Sequence, residues 1–199
     1  PVFDEAELNE IIRTGLARLS DMQNGDGGWN WFPGWRGDSC PHLTAQIVHG
    51  LLRAREAGAP VDPDVLNRGI SWLGRYADRQ IQWLNNALEK KGERRKEKAD
   101  NLDALVLSVL SEGGQFKPAL RDFLLRDRAD LSVYGLALLG LALDREGQGK
   151  TRDEVLGVIH QYVEQDEENQ TAWLRMNNSG FWWFWYGDEM EAHAAYLQL

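Results

Sequence analysis

Hydrophobic side chains recur with the 3.6-residue period of an α-helix along most of the chain, and the period-two alternation of β-strands is nearly absent. Helices with one apolar stripe alternate with helices that are apolar on most sides. The one-sided segments are residues 5–22, 63–88, 118–126 and 151–163, and the all-round apolar segments are 43–57, 102–110, 131–143 and 189–199. Because an all-round apolar helix must be covered on both sides, the second set is predicted to form the inner of two concentric layers.

Two architectures accommodate paired helices, an open α-solenoid and a closed α/α toroid. Solenoid repeats usually have short, uniform turns, whereas this chain places long tryptophan-rich segments before two of the inner helices. We therefore predict an all-α fold, a partial α/α toroid of about four helical hairpins in two concentric layers. A length of 199 residues is within the range of one domain. The first residue is Pro1, whereas a reading frame would begin with Met. We expect a single domain excised from a much larger multidomain protein, whose neighbouring domains are its partners.

Composition excludes several classes of partner and cofactor. The formal net charge of -9 argues against nucleic acid, and the basic cluster at 90–98 is interleaved with glutamates, which is typical of a solvated helix face. Cys40 is the only cysteine, so an internal disulfide and a cysteine-cluster zinc site are excluded. The longest apolar run, 136–143, is far shorter than the ~20 residues of a membrane span. We expect no metal, no cofactor and no membrane insertion by this segment.

The glycine-rich segment "QNGDGGWNWFPGWRGDSC" (residues 23–40) contains Trp29, Trp31 and Trp35. A second segment, "SGFWWFWYGDEMEAHAAY" (179–196), repeats the order of glycine, aromatic cluster, Gly-Asp and helix. We interpret both as caps: glycines permit the turn, and indoles cover a helix end and donate N–H groups to its free carbonyls. Asp188 is the predicted N-cap, with Glu191 completing a capping box. The cap residues are Trp29, Trp31, Trp35, Trp182, Trp183, Asp188 and Glu191, and an aromatic ligand-binding platform is the open alternative.

Two toroid families share single features with the chain. Gln23-x-x-x-Gly27-x-Trp29 resembles the Gln-Trp signature of triterpene cyclases, but those enzymes protonate their substrate with an Asp-rich motif, and the sequence has no Asp-x-Asp-Asp. Protein prenyltransferases hold zinc with Asp, Cys and His. Cys40-Pro41-His42 alone does not make such a site, and we interpret Cys40 as a small packing residue.

One continuous stretch carries the closest resemblance. A helix ends in "ARLSDMQNGDGGWNWF", and "SCPHLTAQIVHGLLRAREAGAPVDPDVLNRGISWL" follows. This resembles the thioester domain of the alpha-2-macroglobulin and complement superfamily, in which a helix runs into an Asp-Gly-Gly/Ser-aromatic turn and a Leu-Thr-Ala helix. "GFWWFWYGDEMEAHAAY" resembles the bacterial branch in particular. The resemblance is specific over residues 8–75, looser over 130–199 and poor between 76 and 128.

The resemblance implies a non-enzymatic module of a broad-spectrum protease inhibitor, a secreted, periplasmic or cell-envelope protease trap. In that family a Cys-x-Glu-Gln motif forms an internal thioester that is transferred to an attacking protease after a bait region is cut. This sequence contains no Cys-x-Glu-Gln, and Cys40 is followed by Pro41-His42-Leu43. In the family the motif precedes the helix that residues 5–22 resemble. The expected partners are therefore the neighbouring domains and, through the parent protein, target proteases.

Other readings of the polar residues are weaker. None of the histidines, His42, His49, His160 and His193, matches a motif position of the family, and Glu189, Glu191 and His193 do not share one helix face as metal ligands would. The alternative function is a carbohydrate-active toroid enzyme or glycan-binding module. Its sugar would stack on Trp29, Trp31, Trp35 or residues 182–185, with Asp26, Asp188 and Glu191 as candidate acids. A plain repeat scaffold would explain the helix alternation but not the duplicated aromatic segment.

Overall fold

The computed structural model describes residues 4–32, 38–176 and 189–199. Within these ranges the chain forms eight α-helices and one two-stranded antiparallel sheet, and the predicted all-α class is confirmed. The helices are α1 (Glu5–Asp21), α2 (Pro41–Glu56), α3 (Pro63–Leu88), α4 (Asn101–Glu112), α5 (Pro118–Arg126), α6 (Val133–Arg145), α7 (Gly149–Ile159) and α8 (Glu189–Gln198). Strands β1 (Val163–Asp166) and β2 (Thr171–Leu174) lie between α7 and α8.

The chain divides into two compact units, Pro1–Tyr76 and Ala77–Leu199, with the boundary inside α3. The first unit contains α1, α2 and the first half of α3. The second contains the rest of α3 and everything that follows. The single-domain expectation for residues 1–199 stays a prediction.

The core of the first unit lies on one face of α2 and one face of α3. Thr44, Ala45, Val48, Leu51 and Leu52 are buried on α2. Val65, Leu66, Ile70, Trp72 and Leu73 are buried on α3. The predicted inner helix at 43–57 is therefore one-sided rather than apolar all round, because its arginines and Gly50 are not covered. No residue of α1 is fully buried, and Leu8 and Ile11 are about half exposed at 47% and 51%.

The second unit has the two fully enclosed helices. Residues 103–111 of α4 are all buried, and so is nearly all of α6. Between them in sequence, α5 buries only Leu120, Phe123 and Leu124, and α7 after them buries Val155 and Ile159. Here the predicted alternation of one-sided and enclosed helices is confirmed.

The last predicted inner helix differs from expectation. On α8 only Ala192 and Ala195 are buried, while Met190 and Leu197 are 78% and 82% exposed. Because Met190 and Leu197 are seven residues apart and opposite the alanines, the helix is one-sided despite its apolar composition. The C-terminal Leu199 lies so close to α6 that a Cβ at Gly140 would come within 2.5 Å of Leu199 Cδ2.

The β-hairpin was not predicted by the periodicity. Val163 pairs with Leu174 and Asp166 with Thr171, in antiparallel register, and Gln170 in the turn has a positive φ of 52°. Strands of four residues are too short to show a clear period of two, and Leu174 is their single buried side chain. The helix predicted at 151–163 therefore ends earlier, at Ile159.

Candidate functional site

Among the described residues of the first unit, long-range polar contacts concentrate around Trp29. We call this set the Trp29 junction: Gln23, Asn24, Asp26 to Trp29, Ser39 and Thr44, with Val65, Arg68, Trp72 and Arg75 of α3. It joins the end of α1 to the start of α2 and to α3.

Trp29 is completely buried at the centre of this junction. Its indole Nε1–H donates to the carbonyl oxygen of Leu19 at 2.8 Å, in the last turn of α1. Its backbone N–H donates to Thr44 Oγ1 at 3.0 Å, and its carbonyl accepts from the Cys40 N–H at 2.8 Å, both at the start of α2. The last carbonyls of a helix have no intrahelical donor, so the indole satisfies a group that the end of α1 leaves open.

Three glycines let the backbone and the indole approach closely. Gly27 has a φ of +95°, and a Cβ there would lie 2.8 Å from the Arg68 carbonyl oxygen. A Cβ at Gly28 would lie 2.5 Å from Ser39 Cβ, and one at Gly69 would lie 2.9 Å from the Trp29 ring. These distances exclude any side chain unless the junction opens.

The carboxylate of Asp26 accepts hydrogen bonds from three different segments. Oδ1 accepts from the Gly28 N–H at 3.0 Å and the Ser39 hydroxyl at 2.7 Å, and Oδ2 accepts from Trp72 Nε1–H at 2.8 Å. Burial raises the pKa of Asp26, but the hydrogen bonds from Ser39, Gly28 and Trp72 favour the charged form more and bring the pKa below its ordinary value. Asp26 is thus held as an anion that orders the turn.

Gln23 connects the turn to α3 through both ends of its amide. Nε2 donates to the carbonyl oxygens of Gly27 and Val65, each at 2.9 Å. Oε1 accepts from Arg68 Nε at 2.8 Å and from a second Arg68 nitrogen at 2.5 Å. The Gln-x-x-x-Gly-x-Trp spacing therefore reflects one structural unit, in which Gln23 holds the carbonyl of Gly27 two residues before the buried indole.

Comparison with known proteins identifies the family to which this architecture belongs. Alpha-2-macroglobulin of Escherichia coli K12 is 32% identical over 175 residues, covering 82% of this chain. Alpha-2-macroglobulin of Thermotoga maritima is 41% identical over 69 residues, covering 35% of this chain. The crystal structure of native Escherichia coli alpha-2-macroglobulin from domain MG7 to the C-terminus matches with a TM-score of 0.64 and 25% identity, covering 85% of this chain and 26% of that one. This chain is a domain of the alpha-2-macroglobulin family.

The match concerns a small part of a large protein. The chain spans 10% of the Escherichia coli relative and 4% of the Thermotoga maritima relative. The trypsin-activated Escherichia coli protein has the same fold, with a TM-score of 0.59 at 23% identity over 78% of this chain and 10% of that one. No protein-family model matches the chain. The α/α-toroid class predicted from the helix pattern is confirmed by these structural neighbours.

The predicted cap residues of this alpha-2-macroglobulin-family domain occupy different environments. Trp29 is buried, whereas Trp31 is 47% exposed and its neighbour Phe32 is 67% exposed. Glu191 is exposed in the first turn of α8. Trp35, Trp182, Trp183 and Asp188 lie outside the described residues, as does the capping box predicted for Asp188 and Glu191. The cap assignment of that second segment stays a prediction.

The cysteine and the histidines do not converge on one centre. Cys40 is half-buried as the N-cap residue of α2, and burial lowers the pKa of His42 in the first turn of that helix. His193 Nε2 accepts from the Leu174 N–H at 3.0 Å while its Nδ1 lies 2.7 Å from the Glu189 carbonyl oxygen, so the neutral Nδ1–H tautomer links α8 to β2. In the described ranges no three His, Cys, Asp or Glu side chains cluster as metal ligands would. None of the described helices is long and apolar enough to cross a membrane.

Sequence reasoning missed most of the polar half of the junction. Ser39, Arg68 and Arg75 had no assigned role, and Thr44 entered only through the Leu-Thr-Ala resemblance. Asp26 was part of the Asp-Gly-Gly-aromatic resemblance and a candidate acid of a glycosidase, with no hydrogen-bond partners predicted. Thr44 and Ser39 lie on either side of Cys40, the N-cap residue of α2, but no side chain caps that helix. Their hydroxyl groups bond Trp29 and Asp26 instead, and these contacts across the loop have no local signal in the sequence. The arginines gave no signal either, because their acceptors, Gln23 and the Asp26 carbonyl, lie more than forty residues away in sequence.

Proposed function

We propose that this domain is the thioester-domain-like module of a bacterial alpha-2-macroglobulin-like, broad-spectrum protease inhibitor that acts as a protease trap. The observation that carries the proposal is the 32% identity with the Escherichia coli protein over 82% of the chain. A trypsin-activated form of that relative has been solved with the same fold, which supports a role in protease capture. The module packs against neighbouring domains of the parent and moves when the bait region is cut.

The module itself is proposed to be non-catalytic. The sequence holds no Cys-x-Glu-Gln, and Cys40 is followed by Pro41-His42-Leu43. The segment therefore contributes the helical framework and not the acyl group. With the family assignment, the proposed location of the parent is the periplasm, the cell envelope or the extracellular space.

The glycoside-hydrolase alternative loses one of its three acids. A general acid must be protonated at the pH at which the enzyme works. A carboxyl group stays protonated near neutral pH only if its pKa is raised. The pKa of Asp26 is shifted in the opposite direction, and both of its carboxylate oxygens already accept hydrogen bonds from within the junction. Asp26 fits a structural anion and not a proton donor.

The trap mechanism has a specific signature that the intact parent protein can be tested for. The parent is incubated with trypsin, and trypsin activity is then measured on a large substrate, casein, and on a small chromogenic peptide. A trap encloses the protease, so casein hydrolysis is suppressed while most hydrolysis of the small peptide is retained. Equal loss of both activities would indicate an active-site inhibitor, and loss of neither would contradict the proposed function.

A further inference from the structure

The outer edge of strand β2 is bound by a side chain of α8. Successive N–H groups of a β-strand point to opposite edges of the strand. The N–H of Arg175, just after β2, donates to the Tyr162 carbonyl oxygen at 2.6 Å, on the side of β1. The N–H of Leu174 therefore points away from β1, and it donates to Nε2 of His193 at 3.0 Å. His193 thus supplies the acceptor that a neighbouring strand would supply.

The second ring nitrogen of His193 determines where the ring carries its hydrogen. Nδ1 lies 2.7 Å from the backbone carbonyl oxygen of Glu189, one turn earlier in α8. A carbonyl oxygen only accepts and a backbone N–H only donates, so Nδ1 carries a hydrogen and Nε2 carries a lone pair. Only the neutral ring makes both contacts at once. A protonated imidazole has an N–H on each nitrogen, and its Nε2–H would face the N–H of Leu174.

The position of Leu174 makes the loss of this acceptor costly. Leu174 is 1% exposed and is the single buried residue of the two strands. A backbone N–H in such a place has little access to water, so protonation of the ring leaves it without an acceptor. Movement of the hairpin away from α8 lets water bond the N–H instead. The bond between Leu174 and His193 therefore couples the charge of one ring to the attachment of the hairpin.

The charged residues of the two helices do not hold a protonated ring in this position. Glu189 meets the ring through its backbone carbonyl, and within the described ranges its carboxylate forms no ion pair with His193. Glu191 lies two residues before His193, on another face of α8. Helix α6, which also packs against α8, has its charged residues at its C-terminal end. These are Asp144 and Arg145, which bond residues of α7 and α4.

The charged residues of the hairpin are bonded elsewhere. Glu164 pairs with Arg175 at 3.3 Å, and Asp166 accepts from its own turn at the far end of the hairpin. In the turn before β1, His160 meets Tyr196 of α8 edge-on, with the ring centroids 6.0 Å apart. His160 is thus a second histidine between this region and α8, and an experiment must distinguish its titration from that of His193.

We propose that His193 is a pH-sensitive latch, which holds the β-hairpin against α8 while the ring is neutral and releases it when the ring takes up a proton. Imidazole is the side chain that ordinarily changes charge between pH 5 and pH 8, so acidification within this range operates the latch. The released state keeps the pairing of β1 with β2, because none of those bonds involves the ring. This inference does not depend on the proposed trap function.

Amide hydrogen exchange of the 199-residue protein, measured by NMR between pH 8 and pH 5, tests the latch. Protection factors, which are corrected for the intrinsic pH dependence of exchange, are compared for the N–H groups of Leu174 and Arg175. We expect the Leu174 factor to fall at least about tenfold relative to that of Arg175 as the His193 ring is protonated, because only Leu174 loses its acceptor. The ring nitrogen shifts follow the protonation in the same samples. A constant ratio of the two factors while the ring titrates, or a ring that stays neutral down to pH 5, would overturn the proposal.

Two substitutions assign the effect to one histidine. His193→Gln removes the titrating group, and its amide oxygen can still accept from Leu174, so the ratio of the two protection factors should no longer change with pH. His160→Gln is the matched control, since it removes the other histidine and leaves the bond to Leu174 in place. It should retain the tenfold fall. If His193→Gln keeps the pH dependence, or if His160→Gln abolishes it, His193 is not the latch.

Discussion

The indole nitrogen of Trp29 donates a 2.8 Å hydrogen bond to the carbonyl oxygen of Leu19, which joins the loop before α2 to the last turn of α1. The amide that would normally bond this carbonyl in a continuing helix, that of Gln23, instead donates to Ser20. A tryptophan in a glycine-rich turn thus serves as a C-terminal cap for one helix and as a core residue for the next two.

Gly28→Ala should open the Trp29 junction. The added Cβ would lie 2.5 Å from Ser39 Cβ and 2.7 Å from Ser39 Oγ, displacing a hydroxyl that bonds Asp26. We expect a loss of about 1 to 3 kcal/mol in the free energy of unfolding, as for other overpacked core positions. Urea denaturation measures this loss.

Gly25→Ala is the matched control for that substitution. A Cβ at Gly25 meets no atom within 4 Å, and its φ is not in the left-handed region. The free energy of unfolding should change by less than about 0.5 kcal/mol. Equal effects of the two substitutions would mean that crowding against Ser39 does not govern this turn.

The buried carboxyl group of Asp103 should make the stability of the second unit depend on pH in an unusual direction. The side chain is completely buried in the first turn of α4, where Oδ2 accepts from the Asp100 N–H at 3.0 Å and pairs with Lys96 Nζ at 2.7 Å. Oδ1 has no hydrogen-bond partner among the described residues. Burial raises the pKa of Asp103 to about 6, despite the opposing charge of Lys96.

A carboxyl with a raised pKa binds its proton more tightly in the folded state than in the unfolded chain. Its contribution to stability is therefore fully present below the ordinary pKa near 3.8 and is lost as the pH rises through about 6. The difference is up to about 3 kcal/mol. Asp103→Asn removes this dependence, so the parent should gain stability relative to the variant when urea unfolding is repeated at pH 4.5 instead of 7.5. If the free energies of unfolding of the parent and of Asp103→Asn differ by the same amount at pH 4.5 and pH 7.5, the raised pKa is contradicted.

The isolated 199-residue chain should be chemically silent. It has no Cys-x-Glu-Gln, so methylamine, which opens such thioesters, should leave its intact mass unchanged. A panel of glycans should show no turnover, because both carboxylate oxygens of Asp26 already accept hydrogen bonds from Gly28, Ser39 and Trp72. Hydrolysis that Asp188→Asn abolishes would instead support the glycosidase interpretation.

The helices could be predicted from the sequence because their signals are local. Pro63 and Pro118 each begin a helix where the first-turn rule places them, and the continuous apolar runs of α4 and α6 identified the enclosed helices. The same rule failed for α8, because alanine counts as an apolar residue but does not indicate which face of the helix is buried. The two strands of the β-hairpin are too short to show the period-two alternation in the sequence.

The junction was only half predictable for a different reason. The Gly-rich turn and its tryptophans stand out in the sequence, and the indole N–H was expected to bond a helix-terminal carbonyl. Nothing local distinguishes Trp29 from Trp31 two residues later, because their burial depends on how the loop meets Gly69 and Val48 on other helices. The partners of Asp26 and Gln23 are likewise set by tertiary contacts with α3.

The second tryptophan segment extends the cap hypothesis to residues that the structure does not describe. If it is a copy of the first, one of its cap tryptophans, Trp182 or Trp183, has the role of Trp29. One of the two substitutions Trp182→Ala and Trp183→Ala should then lower the melting temperature by several degrees, as expected for a buried large aromatic. If both variants melt with the parent, the cap is limited to the first segment.

Thermal melting of Trp29→Ala beside Trp31→Ala tests the central claim, that the tryptophan turn is a structural cap. Truncating the buried Trp29 should cost about 3 to 5 kcal/mol, which lowers the melting temperature by roughly 10 °C in a chain of this size. Truncating the half-exposed Trp31 should change it by no more than about 2 °C. Trp29→Phe, which keeps the ring and loses the bond to Leu19, should fall between them. A Trp29→Ala protein that melts within about 2 °C of the parent would contradict the cap.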